Sequence, residues 1–178
     1  EQNPTALITA AVALARQGSP EMQGKLLAAL DKLDFGKLSE TQQLDLLRAY
    51  SLIFIRLGEP DAATAARLVT KLDAFYPSDS DYVNRELCQL LVYLKSPTVV
   101  SKTLELMRRP HEPSDAEISE LLARNPGYGG TIAQMLANQP NQQLIHYAFC
   151  LRNVRYGWTL EQRREFLQLL DSQRSKSG

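Results

Sequence analysis

The sequence predicts an all-α fold in which helical hairpins stack side by side. Apolar residues recur at helical spacing, no segment alternates polar and apolar residues for long enough to make a strand, and four prolines recur at a regular interval. The clearest stripe consists of Val83, Leu87, Leu90, Leu91 and Leu94. These positions fall at i, i+4, i+7, i+8 and i+11, so they share one side of a helix.

The recurrence of proline sets the length of the repeating unit. The four positions are Pro20, Pro60, Pro97 and Pro140, with separations of 40, 37 and 43 residues. Each follows the end of one apolar helix and precedes a second amphipathic helix. A period near 40 residues with two helices per unit is typical of HEAT-like repeats, whereas TPR and ankyrin repeats are shorter. The predicted fold class is therefore an α–α superhelix, a HEAT-like solenoid.

Ten helices in five hairpins follow from this pattern. Their predicted spans are 4–17, 20–34, 40–57, 60–75, 81–94, 97–108, 115–124, 127–138, 141–155 and 160–172. The span 40–57 is apolar almost all round and is predicted to lie centrally. We expect a single domain over residues 1–172, with a bend at 108–114 and a frayed tail at 173–178.

The helix starts are predicted from capping residues. Ser39 and Gln42 have the spacing of a capping box. Further hydroxyl caps are predicted at Ser80, Ser114 and Thr159. The pairs Ser19-Pro20 and Ser96-Pro97 place a hydroxyl before a proline, which is predicted to occupy the first helical position, where its missing N–H costs nothing.

Composition excludes several classes of function. The 20 basic residues equal the 20 acidic ones, so the chain has no net charge and lacks the basic excess of a nucleic-acid-binding protein. The most apolar stretch, residues 44–57, is too short to span a bilayer and carries three charges. Two cysteines do not make a disulfide framework. The chain begins at Glu1 without a signal-like segment, and we interpret it as a piece of a longer protein.

No catalytic, cofactor or metal site is predicted, and the chain is not expected to be an enzyme. His146 and Cys150 lie four positions apart on one predicted helix, as two metal ligands would. A zinc site needs two more ligands, and Cys88 and His111 are distant in sequence, so packing is the favoured interpretation. The glycines of the segment 125–130 lack the strand and the Lys-Ser/Thr ending of a phosphate-binding loop.

Four residues are candidates for interaction with a partner or between repeats: Arg85, Tyr128, Arg152 and Trp158. Arg85 lies beside the stripe of its helix, where it could bridge adjacent repeats or equally remain on the surface. Tyr128 lies among the glycines, and Arg152 belongs to a mildly basic C-terminal part. Trp158 follows Gly157 between two helices and is predicted to fill a hairpin corner; if exposed, it would be a good binding anchor.

Four segments together resemble a known group of proteins. They are Val83–Cys88, Asn125–Gly130, Ile145–Asn153 and Tyr156–Arg163. They resemble the HEAT-like region of large secreted multidomain proteins of planctomycete-type bacteria, which join a β-propeller, a HEAT-like stretch and a c-type cytochrome domain. The resemblance implies an extracytoplasmic setting and a role as a spacer or docking platform. It carries over no catalytic residue, and the chain has no Cys-x-x-Cys-His sequence for haem attachment.

Three functional hypotheses follow. The leading one is a non-catalytic scaffold that binds a partner protein or other domains of the same polypeptide, without nucleic acid or membrane insertion. The alternative is an accessory docking module of a multidomain oxidoreductase whose redox centres lie outside this chain. The third is a small enzyme or metal protein centred on His146 and Cys150.

Overall fold

The computed structural model describes residues 3–109, 119, 123, 124 and 138–176. Every regular element within these residues is helical and none is a strand, which confirms the predicted all-α class. None of the described helices is both long and apolar enough to cross a membrane. The chain divides into two compact units, Glu1–Val99 and Val100–Gly178.

The first unit contains five α-helices: α1 (Pro4–Gln17), α2 (Gln23–Leu30), α3 (Glu40–Leu57), α4 (Ala62–Asp73) and α5 (Asp81–Tyr93). Short 3-10 helices at Pro20–Met22 and Phe35–Lys37 precede α2 and α3. Helix α3 packs against α1, α2 and α5, while α1 also packs against α2, and α4 against α5. Because it has neighbours on several sides, α3 buries seven of its residues.

Three further helices are described: α6 (Val99–Arg108), α7 (Gln142–Leu151) and α8 (Leu160–Asp171). Helices α7 and α8 pack against each other. In the second unit, Arg108 of α6 forms an ion pair with Glu165 of α8. The predicted helices at 115–124 and 127–138 fall mainly outside the described residues, so the total of ten remains a prediction.

The helix boundaries follow the capping residues closely. The predicted helices 4–17 and 40–57 match α1 and α3, and the capping box of Ser39 and Gln42 is formed. The predicted helix 20–34 is wrong in extent, because it begins as a 3-10 turn and its α-helical part ends at Leu30. The backbone forms a tighter, 3-10-type turn there, in which the Lys32 N–H donates to the Ala29 carbonyl three residues back.

The prediction that a proline occupies the first helical position is wrong for Pro60 and Pro97, which each lie two residues before the first helical residue. Pro140 precedes its helix, as the predicted span 141–155 has it, and it also lies two residues before the first helical residue. After Pro60 and Pro140 the next residue supplies the cap: Asp61 accepts from the Thr64 N–H at 2.7 Å, and Asn141 accepts from the Leu144 N–H at 3.0 Å. A carboxylate or amide oxygen satisfies the free N–H groups of the first turn, so the helix starts after it.

Of the two serine caps predicted beside proline, the one at Ser19 is wrong. Ser19 makes no side-chain cap, and Pro20 begins a 3-10 helix. The Ser96 hydroxyl donates to Asp73 Oδ1 at 2.9 Å, joining the end of α4 to the turn that follows α5. This hydroxyl therefore serves a contact between distant parts of the chain, although it also accepts from the Thr98 N–H at 3.3 Å.

Helices α1, α3 and α5 run side by side in the same direction. At the N-terminal ends of α1 and α3, Gln42 Nε2 lies 3.1 Å from Thr5 Oγ1. At their C-terminal ends, Arg56 Nη2 donates to the Arg16 carbonyl at 3.2 Å. The C-terminal ends of α3 and α5 meet where Phe54 stacks on Tyr93, with ring centroids 5.6 Å apart. Because these helices are parallel and adjacent, side chains at equivalent positions along each helix lie together on one surface.

Candidate interaction surfaces

An exposed surface with large side chains lies along α3 and α5, which we call the α3–α5 face. It comprises Arg48 and Ile55 of α3 and Tyr82, Gln89 and Tyr93 of α5. Ile55 is 78% exposed, Tyr82 64% and Tyr93 43%. Tyrosine, arginine and large aliphatic side chains that are exposed together are typical of protein-binding surfaces rather than of surfaces that contact only solvent.

Helical spacing places these side chains on one side of the unit. Arg48 and Ile55 lie seven positions apart, as do Tyr82 and Gln89, so each pair is on one side of its helix two turns apart. An ion pair joins the two helices, with 3.8 Å between Arg48 Nε and Glu86 Oε1. The stack of Phe54 and Tyr93 fixes the C-terminal ends. Both helices are therefore held in a definite alignment beneath the exposed groups.

Arg85, the first predicted candidate, lies on this side of α5. Its side chain is half-buried, and its guanidinium carbon lies 6.0 Å from the centroid of the Tyr82 ring. That distance is at the outer limit of a cation–π interaction. Arg85 therefore borders the α3–α5 face.

Asn84 is the residue of this segment whose role the sequence interpretation missed. It is 1% exposed, and its side chain makes two bonds to the backbone of Ser78. Oδ1 accepts from the Ser78 N–H at 2.7 Å, and Nδ2 donates to the Ser78 carbonyl at 2.8 Å. The available signal was its spacing, since Asn84 lies three positions before Leu87 and seven before Leu91, inside the apolar stripe. A polar residue there predicts a buried hydrogen-bonding role.

Trp158 lies half-buried in the connection between α7 and α8. Its indole Nε1 donates to the Val154 carbonyl at 2.9 Å, and its ring meets the Phe166 ring edge to face at 5.4 Å between centroids. Arg163 approaches the indole at 5.9 Å. The side chain thus contacts both the segment that follows α7 and α8 itself, and it fills the corner of this hairpin.

Arg152 is exposed at the C-terminal end of α7. Its Nη1 donates to the Phe149 carbonyl at 3.0 Å, and its guanidinium lies 3.4 Å from the centroid of the Phe149 ring. Phe149 is 64% exposed, and Ile145 one turn earlier is 43% exposed. Arg152 covers part of a second apolar surface, on the second unit. Tyr128, the remaining candidate, lies outside the described residues.

His146 and Cys150 are brought together as their spacing predicts. Cys150 Sγ lies 3.5 Å from His146 Nε2, and both side chains are half-buried on α7. Cys88 is fully buried in the first unit. Within the described residues no group of three or more His, Cys, Asp or Glu side chains could hold a metal ion.

We expect the purified chain to retain no stoichiometric zinc. Two ligands on one helix hold Zn²⁺ weakly, because structural sites use four. Inductively coupled plasma mass spectrometry would measure the metal content after dialysis against a buffer that contains trace zinc. The variant H146A/C150A, treated in the same way, is the control. One equivalent of zinc that disappears in this double variant would contradict the prediction.

Comparisons with protein-family models, with curated proteins and with solved structures find no match to this chain. The features available for assigning a function are therefore its helical architecture and its exposed surfaces.

Proposed function

We propose that the chain is a non-catalytic helical-repeat scaffold that binds a partner protein or another domain of the same polypeptide. The α3–α5 face is the observation that carries this proposal. Its exposed Ile55, Tyr82 and Tyr93 belong to residue types that supply binding energy at interfaces, and Arg48 lies between them. The resemblance to secreted multidomain proteins supports an extracytoplasmic setting.

Repeated contacts support the stacked-hairpin architecture within the first unit. The bond from Arg56 to the Arg16 carbonyl and the bond from Lys71 Nζ to the Asp31 carbonyl each join positions 40 residues apart. The interval equals the spacing of Pro20 and Pro60. The first bond joins α3 to α1, and the second joins α4 to the end of α2. A second hairpin stacked on the first, in the same orientation, accounts for both.

The scaffold proposal predicts specific crosslinking through the α3–α5 face. The complete natural protein would carry the photo-crosslinking residue p-benzoylphenylalanine in place of Ile55, in its native cells. We expect one reproducible crosslinked segment, identified by mass spectrometry, either in a partner protein or in another domain of the same polypeptide. The same residue in place of Arg164, which is exposed on α8, provides the control.

The variant Tyr82→Ala sharpens this test, because Tyr82 is 64% exposed and its loss leaves the core intact. Truncating an interface tyrosine costs about 2 kcal/mol of binding, so the crosslinking yield should fall severalfold while the thermal unfolding midpoint stays unchanged. An absence of crosslinks at position 55, or the same products at position 164, would argue against the proposed function.

A further inference from the structure

A second surface of the first unit, formed by α2 and α4, carries an excess of positive charge. Four cationic side chains define this α2–α4 face: Lys25, Lys32, Arg67 and Lys71. Lys25 and Lys32 are exposed, the latter just beyond the end of α2, and Arg67 is about half-exposed. Since the whole chain has no net charge, this clustering is a local feature.

Contacts between the two helices fix the positions of Arg67 and Lys71. Arg67 forms an ion pair with Asp31 at the end of α2, and Lys71 Nζ lies 3.8 Å from Asp31 Oδ1. At the other end, Gln23 Nε2 donates to the Gly58 carbonyl in the connection that leads to α4. Helices α2 and α4 therefore run in the same direction. Their lysine and arginine side chains occupy neighbouring positions on the two helices.

The carboxylates around the face do not neutralise it. Asp31 pairs with Arg67 and Lys71, Glu21 lies one turn before Lys25, and Asp61 caps the start of α4, so four cations stand against three carboxylates. The nearby Asp34 is engaged by Lys37, with 3.2 Å between Nζ and Oδ2. Burial lowers the pKa of Lys71, and Arg67 lowers it further, while Asp34 acts in the opposite direction. Burial is the larger cause of the lowered pKa of Lys71, and the neighbouring positive charge of Arg67 adds to it.

Short side chains separate the cations. The exposed residues between them include Gly24, Ala28, Ala63, Ala66 and Thr70. The space above Gly24 is open, with no heavy atom within 4 Å of the position that a Cβ would take. A partner backbone can approach closely over such residues, and its carboxylates can then reach the surrounding lysine and arginine side chains.

We propose that the α2–α4 face binds an acidic, amphipathic segment of a partner protein or domain. The inference rests on the proposed scaffold function and adds a second surface with a defined partner chemistry. Charge complementarity selects the partner: carboxylates pair with Lys25 and Lys32, while small apolar groups lie over the alanines. Complementary charges also accelerate association and make it sensitive to salt.

Selection from a phage-displayed library of random 16-residue peptides on the immobilised full chain tests the inference. We expect the enriched peptides to carry a net negative charge and to bind more weakly as ionic strength rises from about 50 to 300 mM. The double variant Lys25→Glu/Lys32→Glu should weaken the best peptide at least tenfold, measured by fluorescence anisotropy. Arg16→Glu/Lys95→Glu makes the same change of charge at exposed positions outside this face and should have little effect.

The outcomes separate this inference from the scaffold proposal. Enriched peptides without an acidic bias, an absence of enriched peptides, or equal losses in both double variants would overturn the inference. Peptides that lose binding with Ile55→Asp rather than with Lys25→Glu/Lys32→Glu would overturn it while leaving the α3–α5 face supported. A 16-nucleotide single strand of DNA that binds as tightly as the peptides, through the same lysines, would show a general polyanion surface and also overturn it.

Discussion

The variant Asn84→Ala is expected to lose about 3 kcal/mol of the free energy of unfolding. Asn84 is 1% exposed and is bonded to both the N–H and the carbonyl of Ser78. Truncation leaves these two backbone groups without partners at a partly buried place, and each such group costs about 1–3 kcal/mol. For a chain of this length the thermal midpoint should fall by about 9 °C. Urea unfolding followed by circular dichroism would measure the change.

The matched control is Gln89→Ala, on the same helix but exposed, which should change the free energy of unfolding by less than about 0.5 kcal/mol. Asn84→Asp keeps the acceptor oxygen but sets a buried carboxylate against the Ser78 carbonyl, and it should also destabilise the protein. Equal stability of Asn84→Ala and Gln89→Ala would show that the segment before α5 does not depend on the Asn84 side chain.

Tyr50 should make the protein sensitive to alkaline pH. Its side chain is fully buried in α3, and its hydroxyl has no hydrogen-bond partner among the described residues. Burial raises the pKa of Tyr50 well above its usual value, because the phenolate would lose its hydration. Below pH 10 the folded and unfolded chains both keep the phenol protonated, so stability is unaffected. Above pH 10 the unfolded chain releases this proton first, and stability falls.

Comparison of the wild type with Tyr50→Phe isolates this effect, since the other tyrosines are common to both chains. At pH 7 we expect the variant to be about 1 kcal/mol more stable, because it no longer buries an unpartnered hydroxyl. Between pH 10 and pH 12 the difference should grow by about 2 kcal/mol. Urea titrations at several pH values would show it. A less stable variant at pH 7, or a difference independent of pH, would indicate that the hydroxyl has a partner.

The local features of the first unit were largely predictable from sequence. Helices α1 and α3 have the predicted bounds, and the capping box of Ser39 and Gln42 forms, because these features depend on apolar spacing and on groups a few residues apart. The prolines misled the prediction of helix starts. Asp61 follows Pro60 and provides a better-placed acceptor, so α4 begins later than the proline alone suggests.

The candidate surfaces were less predictable. Of the proposed interaction residues, Arg85 borders the α3–α5 face, and Trp158 fills a hairpin corner of the second unit. Ile55 and Tyr82 were not singled out, because exposure depends on which side of each helix its neighbours cover. Ile55 lies between buried Phe54 and exposed Arg56, and its spacing alone does not show that it faces outward.

The sequence by itself determined the helical class and the positions of most of the described helices, because periodicity and capping are local properties of the chain. Tertiary structure decided which helix faces remain uncovered and which charges gather together. Lys25, Lys32, Arg67 and Lys71 are scattered over almost fifty positions of a chain with no net charge. Only the contacts of Arg67 and Lys71 with Asp31, at the end of α2, bring the cations of the two helices to one face, since electrostatic attraction depends on distance in space.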